Sequence, residues 1–356
     1  MRVFPFIAVA ILVLVSCVHD SAVEFPDSRL EEAVRKTLEI ETGAIHRRDL
    51  RRLSTLVAIG CGIASLHGLE ECANLTHLDL REYHVSDLTP LSTLRRLEAL
   101  VLRSNRITDI ASLAGLTNLR ILDLDFNFVT YASPLGELTE LRWLGLWNSG
   151  IRDASPLAGL TELRELGLSG NPIEDFSPLT GLTKLTWLGL PNTGIEDLSP
   201  VASLTNLVKL SLGGNRIADL SPLAWLTKLE GLGLDTNEIV DVSPLAGLVG
   251  LRRLSLWGNR IEDLTPLAGL TMLEELWLDR NPLERIRILS GLANLRVLGL
   301  SGTRVSDLTP LLENSGLGAG DELDLSDTPI DRARGSDARH DVEELRRRGV
   351  TVHGGS

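Results

Sequence analysis

Aliphatic residues recur at the same places in every 22 residues between about residues 50 and 330. One unit places them at Leu141, Leu144, Leu146, Ile151, Leu157 and Leu160. We call the residue that follows each Leu-x-Leu-x-x motif the anchor. Successive anchors lie 22 residues apart: Cys61, Tyr83, Asn105, Asn127, Ser149, Asn171, Thr193, Asn215, Asn237, Asn259, Asn281 and Thr303. A further anchor, Thr328, follows after 25 residues. A fixed period of this length predicts about 13 stacked coils.

Each unit predicts one short strand followed by a turn. Leu144 and Leu146 point to the same side of a strand, because strand side chains alternate. A single coil cannot bury its leucines, so neighbouring coils cover them and their strands form a parallel sheet. The anchor Asn is expected to turn inward and pair with backbone groups of the turn, and neighbouring anchors are expected to form a ladder.

The return side of each coil is marked by proline. Nine prolines lie seven residues after an anchor and follow Ser or Thr, as Pro156 follows Ser155. Ser or Thr as N-cap with Pro next predicts a short helical or 3₁₀ turn. An Asp three residues before these prolines is expected to bond loop amides, with a calcium-binding row as the alternative. These acids are Asp153, Asp175, Asp197, Asp219, Asp241 and Asp263.

Both ends of the stack need covering. Residues 25–55 are predicted to be an N-terminal cap, with Leu30, Ala33, Val34 and Leu38 on one helical face. Residues 331–356 are predicted to be a C-terminal cap, with a helix over 337–348 and a strand over 350–352. The repeats between them, residues 56–330, then form one solenoid domain.

This pattern resembles the leucine-rich repeat, in the 22-residue form found in bacterial internalins and in a eukaryotic phosphatase regulator. The resemblance implies an α/β solenoid, a horseshoe with a parallel concave sheet and 3₁₀ or helical turns on the convex side. The caps resemble those of internalin-like proteins, the first through Phe25-Pro-Asp-Ser-Arg-Leu. Internalin-like relatives imply a binding module.

The first residues are predicted to be an export signal. Arg2 precedes an apolar run over residues 3–15, which is too short to span a bilayer as a helix. The run ends in Leu14-Val15-Ser16-Cys17, which resembles the lipobox of bacterial lipoproteins. That resemblance implies a signal peptide over 1–16, lipid on Cys17 and a tether over 17–24. The protein would then be exported to the bacterial envelope and touch membrane only through its lipid. An ordinary signal peptide with a chance Cys is the alternative.

Composition and charge argue against several classes of protein and of partner. Apolar residues make up 43% of the 356 residues, which excludes a disordered chain. The net charge of −13 argues against nucleic acid as a partner. Three cysteines cannot form a disulfide scaffold. Cys61 and Cys72 are expected to be two buried thiols, since one coil would separate them, with a disulfide as the alternative.

Tryptophan is concentrated on the predicted concave face. Strand side chains that point outward lie two, four and six residues before each anchor, and five of the six tryptophans occupy such positions: Trp143, Trp147, Trp187, Trp257 and Trp277. We call equivalent positions of successive coils a column. Trp143 and Trp187 lie in one column, two coils and therefore about 10 Å apart. Glycines lie between them, so the indoles are expected to wall a shallow trough. Exposed Trp is typical of binding hot spots; the alternative is that the indoles lie flat on the glycines and stabilise the sheet.

Acidic residues share this face. Glu165 lies beside the first tryptophans and Asp279 beside the second pair, with Asp123, Asp125 and Asp235 between and around them. They favour a partner with a basic rim, with plain solubility as the alternative.

Signals for chemistry are weak. His77 and Asp79 have a spacing that a metal could use, but no phosphate loop, zinc spacing or nucleophile with its base is present. The sequence therefore predicts a monomeric surface binding module for a protein, without enzymatic activity, cofactor or metal. A glycan-binding surface protein and a structural envelope spacer are the competing hypotheses.

Overall fold

The computed structural model describes residues 21–60, 62–81, 84–330 and 336–354. Within these residues, fourteen parallel strands form one unclosed sheet in the order of the sequence. The strands are β1 (Thr55–Val57), β2 (His77–Asp79), β3 (Ala99–Val101), β4 (Ile121–Asp123), β5 (Trp143–Gly145), β6 (Glu165–Gly167), β7 (Trp187–Gly189), β8 (Lys209–Ser211), β9 (Gly231–Gly233), β10 (Arg253–Ser255), β11 (Glu275–Trp277), β12 (Val297–Gly299), β13 (Glu322–Asp324) and β14 (Thr351–His353).

The strand register follows the sequence period. Leu144 pairs with Leu166, which pairs with Leu188, so from β1 to β12 each strand residue lies opposite the one 22 positions later. The central residue of each strand, leucine in β1 to β13 and Val352 in β14, points into the body and is buried, and its two neighbours point outward. The predicted α/β horseshoe with its parallel concave sheet is confirmed.

The interior is a continuous column of leucine and isoleucine. Leu157, Leu160, Leu163, Leu166 and Leu168 of one coil all have no exposed surface, although a single coil is only one residue layer thick. Burying each such side chain contributes about 1.5–3 kcal/mol. The neighbouring coils supply this burial, so the stability of the solenoid depends on the contacts between coils.

The anchor asparagines connect each coil to the previous one through the backbone. Asn171 is fully buried, and its Nδ2 donates to the carbonyl oxygens of Leu146 (2.6 Å) and Leu168 (2.8 Å). Its Oδ1 accepts from the amides of Ser149 and Ile151. The expectation of inward-turned amides is confirmed. The expected ladder of Asn side chains is not found among the described residues. The anchor Asn side chains bond backbone groups and not one another, because the amides and carbonyls of the turns lie between successive anchors.

A 3₁₀ helix lies on the return side of most coils. These helices are Leu69–Glu71, Thr89–Leu91, Ala111–Leu113, Ser133–Glu137, Ser155–Gly159, Ser177–Gly181, Ser199–Val201, Ser221–Leu223, Ser243–Gly247, Thr265–Gly269 and Arg287–Gly291.

The predicted N-cap of these turns was assigned to the wrong residue. Ser155 is the first residue of its helix and the preceding Ala154 is the cap, which makes no side-chain bond. The N–H of Ser155 instead donates to Oδ1 of Asp153 (2.8 Å), because the longer Asp side chain reaches the turn from outside. Hydrogen bonds from Ser155 hold the pKa of Asp153 below its usual value. The periodic acids bond loop amides, as expected.

Helices cover both ends of the stack. Helix α1 (Ser28–Leu38) buries Leu30, Val34 and Leu38, and α2 (Arg47–Leu50) follows it. Asp27 caps α1 through the amides of Arg29 and Leu30, and its second oxygen accepts from Ala64 (2.7 Å), which ties the helix to the first coil.

The C-terminal end carries α3 (Thr309–Glu313) and α4 (Asp337–Arg347). Val342 and Leu345 are the buried residues of α4, and Arg348 just beyond it donates to the Leu312 carbonyl (2.8 Å). No helix in the described part of the chain is long and apolar enough to cross a membrane.

The predicted signal segment, Cys17 and Cys61 lie outside the described residues. Cys72 is a fully buried free thiol, and burial raises its pKa to about 12.

The inter-coil asparagine bonds predict a stability difference between two kinds of Asn. Asn171→Ala leaves buried carbonyl and amide groups without partners, which costs about 1–3 kcal/mol. Asn118→Ala removes a comparable bond to the Arg95 carbonyl (2.7 Å) at the exposed surface and is expected to cost less than about 0.5 kcal/mol. Urea unfolding measures both; an equal loss would contradict the role assigned to the anchors.

Candidate functional site

Four side chains form a first tryptophan patch on the concave face: Trp143, Trp147, Glu165 and Trp187. Trp143, Glu165 and Trp187 occupy the same register position on β5, β6 and β7. Trp147 follows β5, and its ring centroid lies 6.2 Å from that of Trp187 at an interplanar angle of 31°. These residues line an open trough of about 580 Å³. The structure therefore brings together the first group of tryptophans that the sequence selected.

The indoles bend over the glycine positions of the same sheet. A Cβ added to Gly145 would lie 2.6 Å from the Trp143 ring, and one on Gly189 would lie 2.8 Å from the Trp187 ring. Trp147 covers Gly167 even more closely. Glycine is required here because any side chain would displace a ring. The rings pack on the sheet, as the stabilising alternative expects, yet all three remain half-buried with one side open to solvent.

A second tryptophan patch, Trp257 and Trp277, lies at least three strands further along, about 14 Å away. It borders a smaller trough of about 430 Å³ together with Asp279, Glu322 and His353. The guanidinium carbon of Arg280 lies 5.5 Å from the centre of the Trp257 ring, so part of this aromatic surface is already covered by the chain itself.

Three of the predicted binding acids are buried in the sheet. Asp123, Asp125 and Asp279 are each at most 8% exposed. Oδ1 of Asp125 accepts from the Trp147 amide (2.8 Å), and Oδ1 of Asp279 accepts from the Ser301 amide (2.8 Å). The carboxylates of Asp125 and Asp279 therefore connect neighbouring coils, whereas that of Asp123 accepts from the Asp125 amide of its own coil (3.0 Å).

The other two acids are more accessible. Asp235 is half-buried and lies one coil before Trp257 of the second patch, with its carboxylate turned against Gly213 of the preceding coil. Glu165 is exposed, on the strand between those of Trp143 and Trp187. Among the five acids selected from the sequence, Glu165 has the position best suited to contact a ligand.

Asp125 has an unusual protonation equilibrium. Burial raises its pKa to about 6, and the nearby Asp123 carboxylate adds to the rise. The Trp147 amide and Arg103, whose guanidinium lies 3.4 Å away, act in the opposite direction. Burial is the largest influence. The base of the first trough therefore carries a carboxyl group that gains a proton just below neutral pH.

Three exposed aromatic residues escaped the sequence reasoning. Phe128 and Tyr131 are 61% and 70% exposed, and the Arg103 guanidinium carbon lies 4.9 Å from the centre of the Phe126 ring. These residues lie in the turn after β4. The available signal was a departure from the period, since Tyr131 stands where most coils carry Asp.

Two further positions bear on alternative sites. Trp225, the tryptophan outside the concave columns, is 76% exposed on the return side just after a 3₁₀ helix. His77 is exposed and its Nδ1 lies 2.9 Å from the Thr76 hydroxyl, and Asp79 pairs with Arg81. No group of three or more His, Cys, Asp or Glu side chains among the described residues is arranged to hold a metal ion.

Comparison with known proteins places the fold among repeat proteins. The family model described as "Leucine Rich repeats (2 copies)" matches residues 95–137, 139–181 and 183–225. No curated protein matches the chain.

Solved structures give a broader match. An internalin, InlF, from Listeria monocytogenes is 35% identical, with a TM-score of 0.73 over 82% of this chain and 94% of its own. A leucine-rich-repeat protein from Leptospira interrogans is 21% identical, with a TM-score of 0.70 over 82% of this chain and 81% of its own. The ectodomain of a plant receptor kinase from Arabidopsis thaliana, solved in complex with Casparian strip integrity factor 2, is 20% identical, with a TM-score of 0.58 over 72% of this chain and 37% of its own. The last two show a likeness of fold.

The raised pKa of Asp125 predicts a pH dependence of stability. Because the folded state holds this proton more tightly than the unfolded state does, the free energy of unfolding should rise as the pH falls from 7 to 5, by about 1 kcal/mol from this residue. Asp125→Asn should remove that contribution, while Asp153→Asn, at an exposed acid with a lowered pKa, should keep it. Urea unfolding at the two pH values measures the difference. An Asp125 carboxyl that titrates near pH 4 by NMR would contradict the prediction.

Proposed function

Because the chain belongs to the internalin-like leucine-rich-repeat proteins, we propose that it is a non-enzymatic binding module of the bacterial cell surface or envelope. It recognises a protein partner through the concave face. The observation that carries this proposal is the first tryptophan patch, where three half-exposed indoles surround one open trough.

The energetics of exposed indoles support a binding role. Each Trp buries 150–250 Å² when covered, and Trp is the residue type most enriched among interface hot spots. Trp147 and Trp187 already lie in ring contact, so a partner meets a pre-arranged aromatic surface. These two side chains therefore lose little conformational entropy on binding. Packing on the glycine positions supports the same idea, because it fixes the rings before binding.

The two patches have different weights in the proposal. The first patch supplies the central contact, with Glu165 exposed in its midst. Trp257, Trp277 and Asp279 form a second contact region on the same face, within reach of an extended or domain-sized partner. Asp125 lines the first trough, Asp123 lies buried in the same coil, and Asp235 lies one coil before Trp257 on the same face.

A binding function suits the chemistry of the face better than catalysis. The first trough is lined by indoles, Glu165, Asp125, Thr186, Arg103 and Lys209. This set contains no cysteine or histidine to act as nucleophile or base, and the Thr186 hydroxyl donates to the carbonyl oxygen of Arg164 (3.1 Å). The lining residues can stack, pair charges and exclude water, which is what recognition needs.

Attachment to the envelope is the second part of the proposal. The segment Leu14-Val15-Ser16-Cys17 supports export followed by lipid modification of Cys17. Residues 21–23 pair with the backbone of residues 45–47 in the N-terminal cap, so lipid on Cys17 would hold the solenoid close to the membrane surface. The concave face is carried by rigid coils, so anchoring at the N-terminus leaves it open to partners.

The concave proposal predicts a loss of binding when the first patch is removed. Combined Trp143→Ala, Trp147→Ala and Trp187→Ala should weaken partner capture at least about 30-fold, because the loss of even one hot-spot side chain costs about 2 kcal/mol. Immobilised protein is exposed to cell-surface and envelope extracts, and captured proteins are quantified by mass spectrometry.

Trp225→Ala is the control, since it removes an even more exposed indole from the return side. It should retain the captured proteins. Native circular dichroism and urea midpoints establish that the triple variant is folded, and Trp→Phe versions serve if it is not. Capture that survives the triple substitution would refute the proposal. Displacement of the captured proteins by free oligosaccharide would favour glycan recognition instead.

The anchor predicts a defined mature terminus. Mass spectrometry of protein extracted from membranes should find Cys17 as the first residue, with its mass increased by lipid. Cys17→Ser should move the protein from the detergent phase to the aqueous phase, and Ser21→Ala should leave it in the detergent phase. A mature chain that begins elsewhere without lipid would contradict this.

A further inference from the structure

The first patch places one carboxylate between two indole rings. Trp143, Glu165 and Trp187 lie directly opposite one another on three adjacent strands. Neighbouring strands are about 4.8 Å apart, so the strands of the two tryptophans are about 10 Å apart with Glu165 midway. Trp147 closes one side of this space through its contact with Trp187. A group that enters here meets indole rings together with the exposed Glu165 side chain between them.

Among the described residues, Glu165 has no ion-pair partner. Three other acids of the concave face have partners: Asp79 pairs with Arg81 (2.6 Å), Asp125 with Arg103 (3.4 Å) and Glu275 with Arg253 (3.1 Å). Among the described residues, no Lys, Arg or His nitrogen lies within 4.0 Å of the Glu165 carboxylate. Lys209 lines the same trough, but it is two strands away on the far side of Trp187. The charge of Glu165 is therefore left for an external cation.

The chain itself shows which cation suits its exposed rings. Arg103 places its guanidinium 4.9 Å from the centre of Phe126, and Arg280 places its own 5.5 Å from the centre of Trp257. A cation in this position is attracted to the negative face of the ring. In the described part of the chain no such cation lies over Trp143, Trp147 or Trp187. The first patch thus offers free ring faces of the kind that receive an internal arginine elsewhere.

We propose that the space between Trp143 and Trp187 is a receptor for one arginine side chain of the protein partner, with Glu165 as its ion-pair acceptor. This inference rests on the proposed function and specifies the partner's chemistry. The planar guanidinium stacks against indole and binds carboxylate through two parallel N–H groups, which an ammonium cannot do. The net charge of −13 attracts a basic partner over longer distance.

The probe is a capped Gly-Gly-Arg-Gly-Gly peptide, compared with the same peptide containing citrulline, which keeps the planar shape without the charge. Binding to the full chain is followed by the indole N–H signals in NMR, assigned through single Trp→Phe variants. The arginine peptide should shift the Trp143 and Trp187 signals saturably at millimolar concentration. The citrulline peptide should bind at least fivefold more weakly.

Glu165→Gln should abolish the preference for arginine over citrulline while the indole signals of the free protein stay in place. Glu275→Gln is the matched control, because this residue occupies the same column of the sheet but already pairs with Arg253. It should keep the preference.

Three outcomes would overturn the proposal: equal binding of the two peptides, an unchanged preference in Glu165→Gln, or shifts confined to Trp257 and Trp277. A fourth such outcome is tighter binding of a neutral oligosaccharide than of the arginine peptide at the same indoles.

Partner capture separates failure of the arginine receptor from failure of the proposed function. If Glu165→Gln captures the partner as well as the unmodified chain does and the triple Trp variant does not, the arginine receptor fails and the binding module stands. If the triple variant captures it too, the binding module itself fails.

Discussion

Burial of the leucines of one coil against those of the next is the interaction on which the rest of this molecule depends. Leu144, Leu166 and Leu188 have no exposed surface, yet each belongs to a coil that would leave it in water if it stood alone. Burial between coils fixes the strand register, since a shift by one residue would turn every leucine outward. Asn171 and the equivalent anchors add a second constraint, because they pair the backbone groups that the turns leave in the apolar interior.

This register decides what the surface can do. Side chains at the outward positions of the strands are not part of the leucine core. These positions can therefore carry Trp, Glu or Gly without loss of that core. Glycine at Gly145, Gly167 and Gly189 then lets the indoles descend onto the sheet. The first tryptophan patch is thus both a covering for exposed backbone and a pre-arranged contact surface. The two roles are compatible, because each ring covers a glycine with one side and keeps part of its surface open.

Charge on the concave face separates into two classes. Asp125 and Asp279 are buried and accept amide hydrogens from the following coil, so their carboxylates stabilise the stack and are costly to ionise. Glu165 is exposed and without an ion-pair partner among the described residues, so its charge is available to a ligand. The same residue chemistry therefore serves structure at one outward position and recognition at another, depending on whether a neighbouring side chain covers it.

The sequence by itself determined the repeat, its period, the strand and turn positions and the direction of every leucine, because a 22-residue spacing leaves only one way to stack the coils. It also selected the columns that hold Trp143, Trp187 and Glu165, since strand alternation fixes which side chains point outward. Only the tertiary structure decided which acids are buried, that the Ser155 amide donates to Asp153, and that Phe126, Phe128 and Tyr131 are exposed. Those outcomes depend on how far a side chain reaches and what lies on the adjacent coil, and side-chain contacts between coils are not encoded in the spacing of any single unit.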